Sequence, residues 1–278
     1  MRRFFVLSFI FFVVAICHAT EGHVVNYESL RKSLESAETM QERAEICCSI
    51  ARLCCSFGDE ASEKNDKRFW YSEGMDWALK AQSEDPLSAE GYYLHAICIG
   101  KDAQTRSLSE QRSAQKIVTE DYETITDTLG ILDFCELWMA MTAAYYWNPF
   151  KSNACAVSYA RAAVDSSEDG MLADACLQLA KVLHARDWSA KKRASRIASM
   201  LKDWNSCTSN LERYAYYEGK LGTDFIPVWT REPLSGISDS QEAVLLLEYA
   251  DNQFRSTDYV SSIDTKIHEE ILRLLAEW

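Results

Sequence analysis

Apolar residues recur three and four positions apart along almost the whole chain, which is the spacing of one face of an α-helix. Helix-ending residues break the pattern at several points, for example Ser83–Glu84–Asp85–Pro86 and Asn148–Pro149. The short breaks predict that consecutive helices form antiparallel pairs. Helices are predicted at residues 24–37, 41–57, 65–83, 88–104, 107–128, 132–146, 152–165, 170–186, 189–204, 207–220, 239–254 and 258–277.

Composition supports an all-α fold. Ten glycines and four prolines in 278 residues amount to roughly 5%, where about 12% is average. Sandwiches, barrels and propellers need many more turn residues, so these classes are excluded. A hydrophobic content of 47% and a charged content of 26% are typical of a globular protein.

The first 19 residues have the pattern of an export signal. Met1–Arg2–Arg3 precedes the apolar run Phe4–Cys17, and a small residue, Ala19, offers a cleavage position. The run is shorter than the roughly 20 residues of a membrane-spanning helix, which favours a cleaved signal over a permanent anchor. Lipid attachment at Cys17 is the less favoured alternative, because the residue before it is Ile16 rather than a small residue.

The net charge of −13 argues against nucleic-acid binding, which requires a basic surface that displaces counterions. Removal of a signal that contains Arg2 and Arg3 makes the charge more negative still. The densest basic run, Lys191–Lys192–Arg193 with Arg196, is predicted to be the solvated face of a helix.

The cysteines and histidines give no sign of a reaction. Without Cys17, nine cysteines remain, an odd number that cannot form a complete set of disulfides. They are predicted to be mostly buried thiols that fill small spaces, with oxidation of one or two pairs after export, or a metal site, as alternatives. The chain lacks the HExxH, GxSxG and GxxxxGK[ST] motifs, so no catalytic residue, metal or cofactor is predicted.

Two segments resemble tetratricopeptide repeats, in which small residues let paired helices approach and an aromatic ring fills the gap between them. The first match consists of Gly74, Ala78, Ala81 and Pro86, followed by Tyr92, His95, Ala96 and Ile99. The second consists of Trp138, Met141, Thr142 and Tyr145, followed by Cys155, Tyr159 and Ala162. A degraded third unit begins near Gly170, and a generic helical bundle is the alternative.

The long helix predicted between these units, Leu108–Leu129, makes the arrangement similar to divergent members of the repeat superfamily. That subset includes exported bacterial proteins that accompany TRAP-type transporters, and relatives of the regulators of microtubule dynamics. The resulting layout is a signal peptide at 1–19, an N-terminal helical cap at 20–64, a repeat-like array at 65–221, an irregular linker at 222–238 and a C-terminal helical pair at 239–278.

The resemblance implies a concave groove lined by the first helix of each unit. Carried over position by position, the groove residues would be Tyr93, Lys101, Glu136, Met139, Tyr146, Trp147, Gln178 and Lys181. The same register places Tyr92 and Trp138 in the core. Aromatic and Met side chains are enriched at interface anchors, which favours a protein or peptide partner there. In the alternative arrangement, the C-terminal helices fill the groove and bury these side chains.

The sequence therefore predicts an exported, non-catalytic scaffold that binds a protein or peptide, in a periplasm or cell envelope, with no membrane span after signal removal. The alternative is an accessory subunit of a transport system that binds a small apolar ligand or a solute-binding protein. An enzyme is the least favoured class, because the ionisable residues form no recognisable constellation.

Overall fold

The computed structural model describes residues 23–148, 151–167, 171–255 and 262–278. These residues form an all-α fold of helical hairpins and contain no β-strand. The predicted signal segment 1–19 and the predicted start of the third unit at Gly170 lie outside the described residues. The α-helices are α1 His23–Ser36, α2 Met40–Glu60, α3 Lys64–Glu84, α4 Ala89–Gln104, α5 Leu108–Glu123, α6 Cys135–Tyr146, α7 Asn153–Asp165, α8 Leu172–Arg186, α9 Ala190–Ser206, α10 Asn210–Arg213, α11 Tyr217–Leu221, α12 Asp239–Arg255 and α13 Ser262–Glu277.

Hydroxyl side chains fix where several of these helices begin. Thr39, Ser88 and Ser189 each accept a hydrogen bond from a backbone N–H in the first turn of the helix that follows. Ser107 and Glu110 form a reciprocal capping box at the start of α5. Each bond satisfies an N–H that has no partner within the helix, so these residues favour a helix start.

The chain divides into two compact units, with the boundary between Ile131 and Leu132. Unit 1 contains α1 to α5, and a π-helical turn, Thr124–Thr128, follows α5. Unit 2 contains α6 to α13 and a 3₁₀ turn, Tyr214–Tyr216. The division falls inside the predicted array at 65–221, so the predicted repeats belong to different units.

In unit 1, α2 packs on α3, α3 packs on α4, and α4 packs on α5. Small residues make the close approach possible: a Cβ atom added at Gly74 would lie 2.6 Å from the Cys98 sulfur and 3.4 Å from the Ala51 carbonyl oxygen. His95 stands where the repeat pattern has an apolar residue. Its Nδ1 lies 2.8 Å from the Asp121 carboxylate of α5, which provides the partner that a largely buried imidazole requires.

The prediction that most cysteines are buried thiols is confirmed for the described residues. All nine cysteines from Cys47 onward are free, and Cys155 and Cys207 are the two that are partly exposed. The buried thiols are Cys47, Cys48, Cys54, Cys55, Cys98, Cys135 and Cys176. Burial raises the pKa of Cys54 and of Cys176 to about 12, which keeps both as neutral thiols at physiological pH.

In unit 2, α6 packs on α7 and α7 packs on α8, but the main partner of α8 is α12. The intervening helices α9 and α11 pack on each other, and α11 also contacts α7. The third helical pair is therefore interrupted by residues 187–238. The predicted linker at 222–238 is irregular, yet Leu234 is fully buried and its N–H donates to the Phe225 carbonyl at 2.9 Å.

The core of unit 2 is built around Trp138, which is fully buried as the register predicted. Its ring stacks on Tyr214 with a centroid distance of 4.1 Å, and Nε1 donates to the Leu132 carbonyl at 2.9 Å. Tyr92, the equivalent position in unit 1, is only half-buried, and its hydroxyl donates to the Pro86 carbonyl at 3.3 Å. The two predicted core aromatics are therefore not equivalent.

Candidate binding surface

The two groove residues predicted in unit 1 are buried. Tyr93 is 5% exposed and Lys101 is 7% exposed. The Lys101 ammonium pairs with the Asp59 carboxylate of α2, which also accepts a hydrogen bond from the Tyr71 hydroxyl at 2.9 Å. The charge of Lys101 is therefore neutralised within unit 1.

The predicted residues on α6 differ in exposure. Met139 is buried and its sulfur lies 3.5 Å from that of Cys135, whereas Glu136 and Tyr146 are half-buried. Trp147, the residue that ends α6, is 47% exposed. Its ring meets Tyr146 edge-on, with centroids 4.9 Å apart. The aromatic pair thus presents apolar area to solvent at the C-terminal end of the helix.

Helix α8 contributes polar groups next to α6, with which it is in direct contact. Burial raises the pKa of Asp174 to about 6, although Gln178 and Lys181 oppose the rise. The Gln178 Nε2 atom is buried and makes no hydrogen bond of normal geometry among the described residues. Charge on Glu136 and on Asp174 adds to the effect of burial in raising the pKa of Cys135 to about 12.

Lys181 lies further along α8 and is engaged by the C-terminal helix. Its Nζ atom is 2.8 Å from the Glu270 carboxylate of α13, and both side chains are about one-third exposed. Helix α13 therefore covers the Lys181 part of α8. We name the predicted groove residues of unit 2, together with Asp174, the α6–α8 surface; its members are Glu136, Met139, Tyr146, Trp147, Asp174, Gln178 and Lys181.

Sequence analysis missed a buried ionic cluster elsewhere in unit 2. Three guanidinium groups and three carboxylates form six ion pairs among α7, α8, α9, α11 and α12, and every one of the six side chains is at most 2% exposed. The members are Arg161, Arg186, Arg193, Glu218, Asp239 and Glu242. Their formal charges cancel within the cluster, although the buried Nε atom of Arg193 has no hydrogen-bond partner among the described residues.

Glu242 lies at the centre of this buried ionic cluster. It accepts both terminal nitrogens of Arg161, at 2.8 and 2.7 Å, and also pairs with Arg193. The Trp229 indole donates to it at 3.1 Å. Burial alone would raise the pKa of Glu218, but Arg186 and Arg161 outweigh burial and lower it to about 2. The pKa of Glu242 is lowered as well, so Glu218 and Glu242 stay ionised at neutral pH.

The prediction that Arg193 lies on a solvated helix face is wrong. Lys191, Lys192 and Arg196 are exposed as predicted, but Arg193 is fully buried. Its guanidinium group pairs with Asp239 and Glu242 of α12, which lie against this part of α9. One feature of the sequence does indicate the buried ionic cluster: Arg161 interrupts a run of small residues in α7, a helix that is buried on most sides.

The described residues contain no group of three His, Cys, Asp or Glu side chains that could hold a metal ion. Within the same ranges, no helix is long and apolar enough to cross a membrane.

Comparison with known families gives one match. Residues 18–124 match the family model described as regulator of microtubule dynamics protein 1-3. The match extends from before α1 to the first residue of the π-helical turn, and so it lies in unit 1. It supports the part of the resemblance that named regulators of microtubule dynamics. The repeat assignment and the link to transporters stay predictions, and no curated protein or solved structure gives a significant match.

The regulator of microtubule dynamics match leaves unit 2 outside it. The α6–α8 surface and the buried ionic cluster both lie in residues that the family model does not cover. The match therefore bears on the class of protein rather than on a site.

Proposed function

We propose that this protein is a non-catalytic helical scaffold that binds a peptide segment of a partner protein on the α6–α8 surface. Two observations support the class: the helical-hairpin fold, and the match of unit 1 to a family of regulator proteins. The observation that carries the proposed site is the exposure of Trp147 against Tyr146.

Trp147 has the properties of an interface anchor. Tryptophan and tyrosine dominate binding energies because they bury large apolar areas with few rotatable bonds. A tryptophan that is 47% exposed stabilises the fold less than a fully buried one. Contact with a partner would bury the remaining apolar area and so stabilise the complex. The ring rests on Tyr146, which restricts its orientation and lowers the entropy lost on binding.

Acidic groups define the chemistry of the rest of the surface. The charges of Glu136 and Asp174 both act on Cys135, and Lys181 is already paired with Glu270. A partner segment with an apolar anchor and a basic residue fits this arrangement. The affinity of such a partner should fall with salt only through the ionic contacts of its basic residues, because salt does not screen the burial of apolar area.

We also propose that the scaffold acts after export, since residues 1–19 have the signal pattern described above. N-terminal sequencing of the protein from its native compartment tests this. A mature chain that begins near Thr20 supports export with cleavage, and a chain that retains Phe4–Cys17 contradicts it.

The small-ligand alternative gains no support from the recess between α4 and α5. Its lining combines small residues with glutamines, but its volume of about 10 Å³ holds about one water molecule. Drug-sized ligands require sites of about 300–1,000 Å³.

The test of the proposed site is the double variant Tyr146→Ala with Trp147→Ala in the full chain. The immobilised chain is used to capture native proteins, which are identified by mass spectrometry. The affinity of each captured protein is then measured. We expect the double variant to lose at least 10-fold in affinity while its circular dichroism is unchanged, since one lost anchor is worth more than about 1.4 kcal/mol.

The matched control is Leu201→Ala with Val228→Ala, which removes two exposed apolar side chains from other parts of unit 2. The control variant should bind as the wild type does. Equal affinity of the wild type and the Tyr146→Ala, Trp147→Ala variant would remove the α6–α8 surface as the binding site.

A further inference from the structure

Two thiols of unit 1 meet across helices that are not adjacent in sequence. The Sγ atoms of Cys55 on α2 and Cys98 on α4 are 2.9 Å apart, and both side chains are buried. Non-bonded carbon atoms pack best at about 3.5–4.0 Å, and sulfur is larger than carbon. We propose that Cys55 and Cys98 are the site of a disulfide that cross-links α2 to α4 when unit 1 folds in the presence of a small-molecule disulfide.

The surroundings of the pair favour the bond. Closing 2.9 Å to the S–S bond length of about 2.05 Å requires a movement of less than about 1 Å. Gly74 on α3 leaves the space for it, because a Cβ atom at this position would lie 2.6 Å from the Cys98 sulfur. Any larger residue at 74 would push Cys98 away from its present position.

Geometry selects Cys55 over the other cysteines of α2. The Cys48 sulfur points to the Ser88 hydroxyl, at 4.0 Å, and not to a second thiol. Cys54 precedes Cys55 in the helix and faces Gly74: a Cβ atom added at Gly74 would lie 3.3 Å from the Cys54 Cβ atom. Only the Cys55 sulfur lies within hydrogen-bonding distance of the Cys98 sulfur among the described contacts.

The reaction is thiol–disulfide exchange in two steps. The Cys55 thiolate attacks one sulfur of oxidised glutathione, forms a mixed disulfide and releases one reduced glutathione. The Cys98 thiolate then attacks the Cys55 sulfur of the mixed disulfide and releases the second. Two protein thiols and one oxidised glutathione thus give one protein disulfide and two reduced glutathiones, with the two thiol protons transferred to the two leaving thiolates.

The folded protein should react slowly. The hydrogen bond between the two thiols, together with burial, raises the pKa of Cys98 well above its ordinary value. The Cys98 thiolate that closes the disulfide is therefore scarce while the pair is buried. We expect rapid cross-linking during refolding, and cross-linking of the native protein only at the rate at which unit 1 opens.

The test is to refold the full-length chain with oxidised glutathione, block the remaining thiols, and map the peptides without reduction. The Cys54→Ala variant is mapped in parallel, so that the linked cysteine on α2 is unambiguous. We expect one linked peptide pair joining Cys55 and Cys98. The oxidised protein should also melt at a higher temperature than the same sample after reduction, because the bond closes a loop of 43 residues in the unfolded chain.

Controls separate this pair from general oxidation. Cys55→Ala should lose the linked peptide and the shift in melting temperature, whereas Cys54→Ala should retain both. If Cys55→Ala does not fold, the peptide map of the Cys54→Ala variant still decides the question. Ten free thiols in the full-length chain after refolding with oxidised glutathione would overturn the proposal, and so would a link between any other two cysteines.

Discussion

Units 1 and 2 use the same helical hairpins but are stabilised by different means. In unit 1 helices pair with their sequence neighbours through small residues and thiols, and charges such as Lys101 and Asp59 meet in pairs. In unit 2 the pairing of α8 with α12 spans residues 187–238, and a buried ionic cluster joins the helices involved. The difference leads to the hypothesis that buried charge pairs fix the inserted segment in a single register, which variants can test.

The largest expected effect comes from removing the centre of the buried ionic cluster. Glu242→Ala leaves Arg161 and Arg193 buried with fewer partners, and we expect a loss of about 3–5 kcal/mol in the free energy of unfolding. Urea denaturation measures the loss. Hydrogen exchange should show faster exchange in α7, α9 and α12 and little change in unit 1.

The matched control for Glu242→Ala lies on the same helix. Glu248 is exposed on α12, so Glu248→Ala should change stability by no more than about 0.5 kcal/mol. Similar losses for the two variants would show that the ionic cluster does not hold α12 in place.

The second prediction compares the equivalent aromatics of the two units. Trp138→Ala removes a fully buried ring that stacks on Tyr214, and we expect it to cost about 3–5 kcal/mol. Tyr92→Ala removes a half-buried ring with one hydrogen bond to Pro86, and a loss of about 1–2 kcal/mol is expected. The repeat register predicts equal losses, so a Tyr92 variant as unstable as the Trp138 variant would favour that register over the observed burial. Thermal and urea unfolding provide both values.

Local signals in the sequence predict most helix boundaries here because caps and small residues act within a few positions. The helix predicted at 65–83 is observed as Lys64–Glu84, and the one predicted at 239–254 as Asp239–Arg255. The prediction at 207–220 merges three short pieces, α10, the 3₁₀ turn and α11. The change of helix type leaves no mark in the apolar spacing, which is what the prediction used.

Pairings between distant residues could not be predicted in this way. Nothing near Arg193 indicates that its partners are Asp239 and Glu242, which lie more than 40 positions away. The same holds for Lys101, which looks like a groove residue by position but pairs with Asp59. The exposure of Trp147 is predictable from the sequence, because its register follows from that of Trp138 on the preceding helix α6.

The third prediction concerns the pH dependence of the α6–α8 surface. The pKa of Asp174 is about 6 in the folded protein, above its ordinary value of 3.8, because of burial. Folding is therefore favoured by proton binding: the benefit is complete below about pH 3.8 and is lost as pH rises through about 6. Asp174→Asn removes the cost of the buried charge and should stabilise the protein at pH 7.5 by about 1–2 kcal/mol, discounted for its partial exposure.

The control for Asp174→Asn is the same comparison at low pH. At pH 4 the carboxyl group of the folded wild type is mostly protonated, so the variant and the wild type should differ by less than about 0.5 kcal/mol. A stabilisation that is the same at pH 4 and pH 7.5 would mean that Asp174 does not titrate near pH 6.

The smallest expected effect tests whether α13 rests on the α6–α8 surface. The Lys181–Glu270 pair is about one-third exposed, so a double-mutant cycle with Lys181→Ala and Glu270→Ala should give a coupling of about 0.3–1 kcal/mol. The coupling should shrink in 1 M salt because exposed pairs are screened within about 3 Å at that ionic strength.

The cycle also bears on binding, since Lys181 can contact an acidic group of a partner only by leaving Glu270. If Lys181 serves a partner, Glu270→Ala frees it and raises the affinity, while Lys181→Ala lowers it. If α13 simply covers this end of the surface, both variants bind as the wild type does, and the coupling alone remains. A coupling of zero at low salt would show that the Lys181–Glu270 pair does not help to hold α13 on α8.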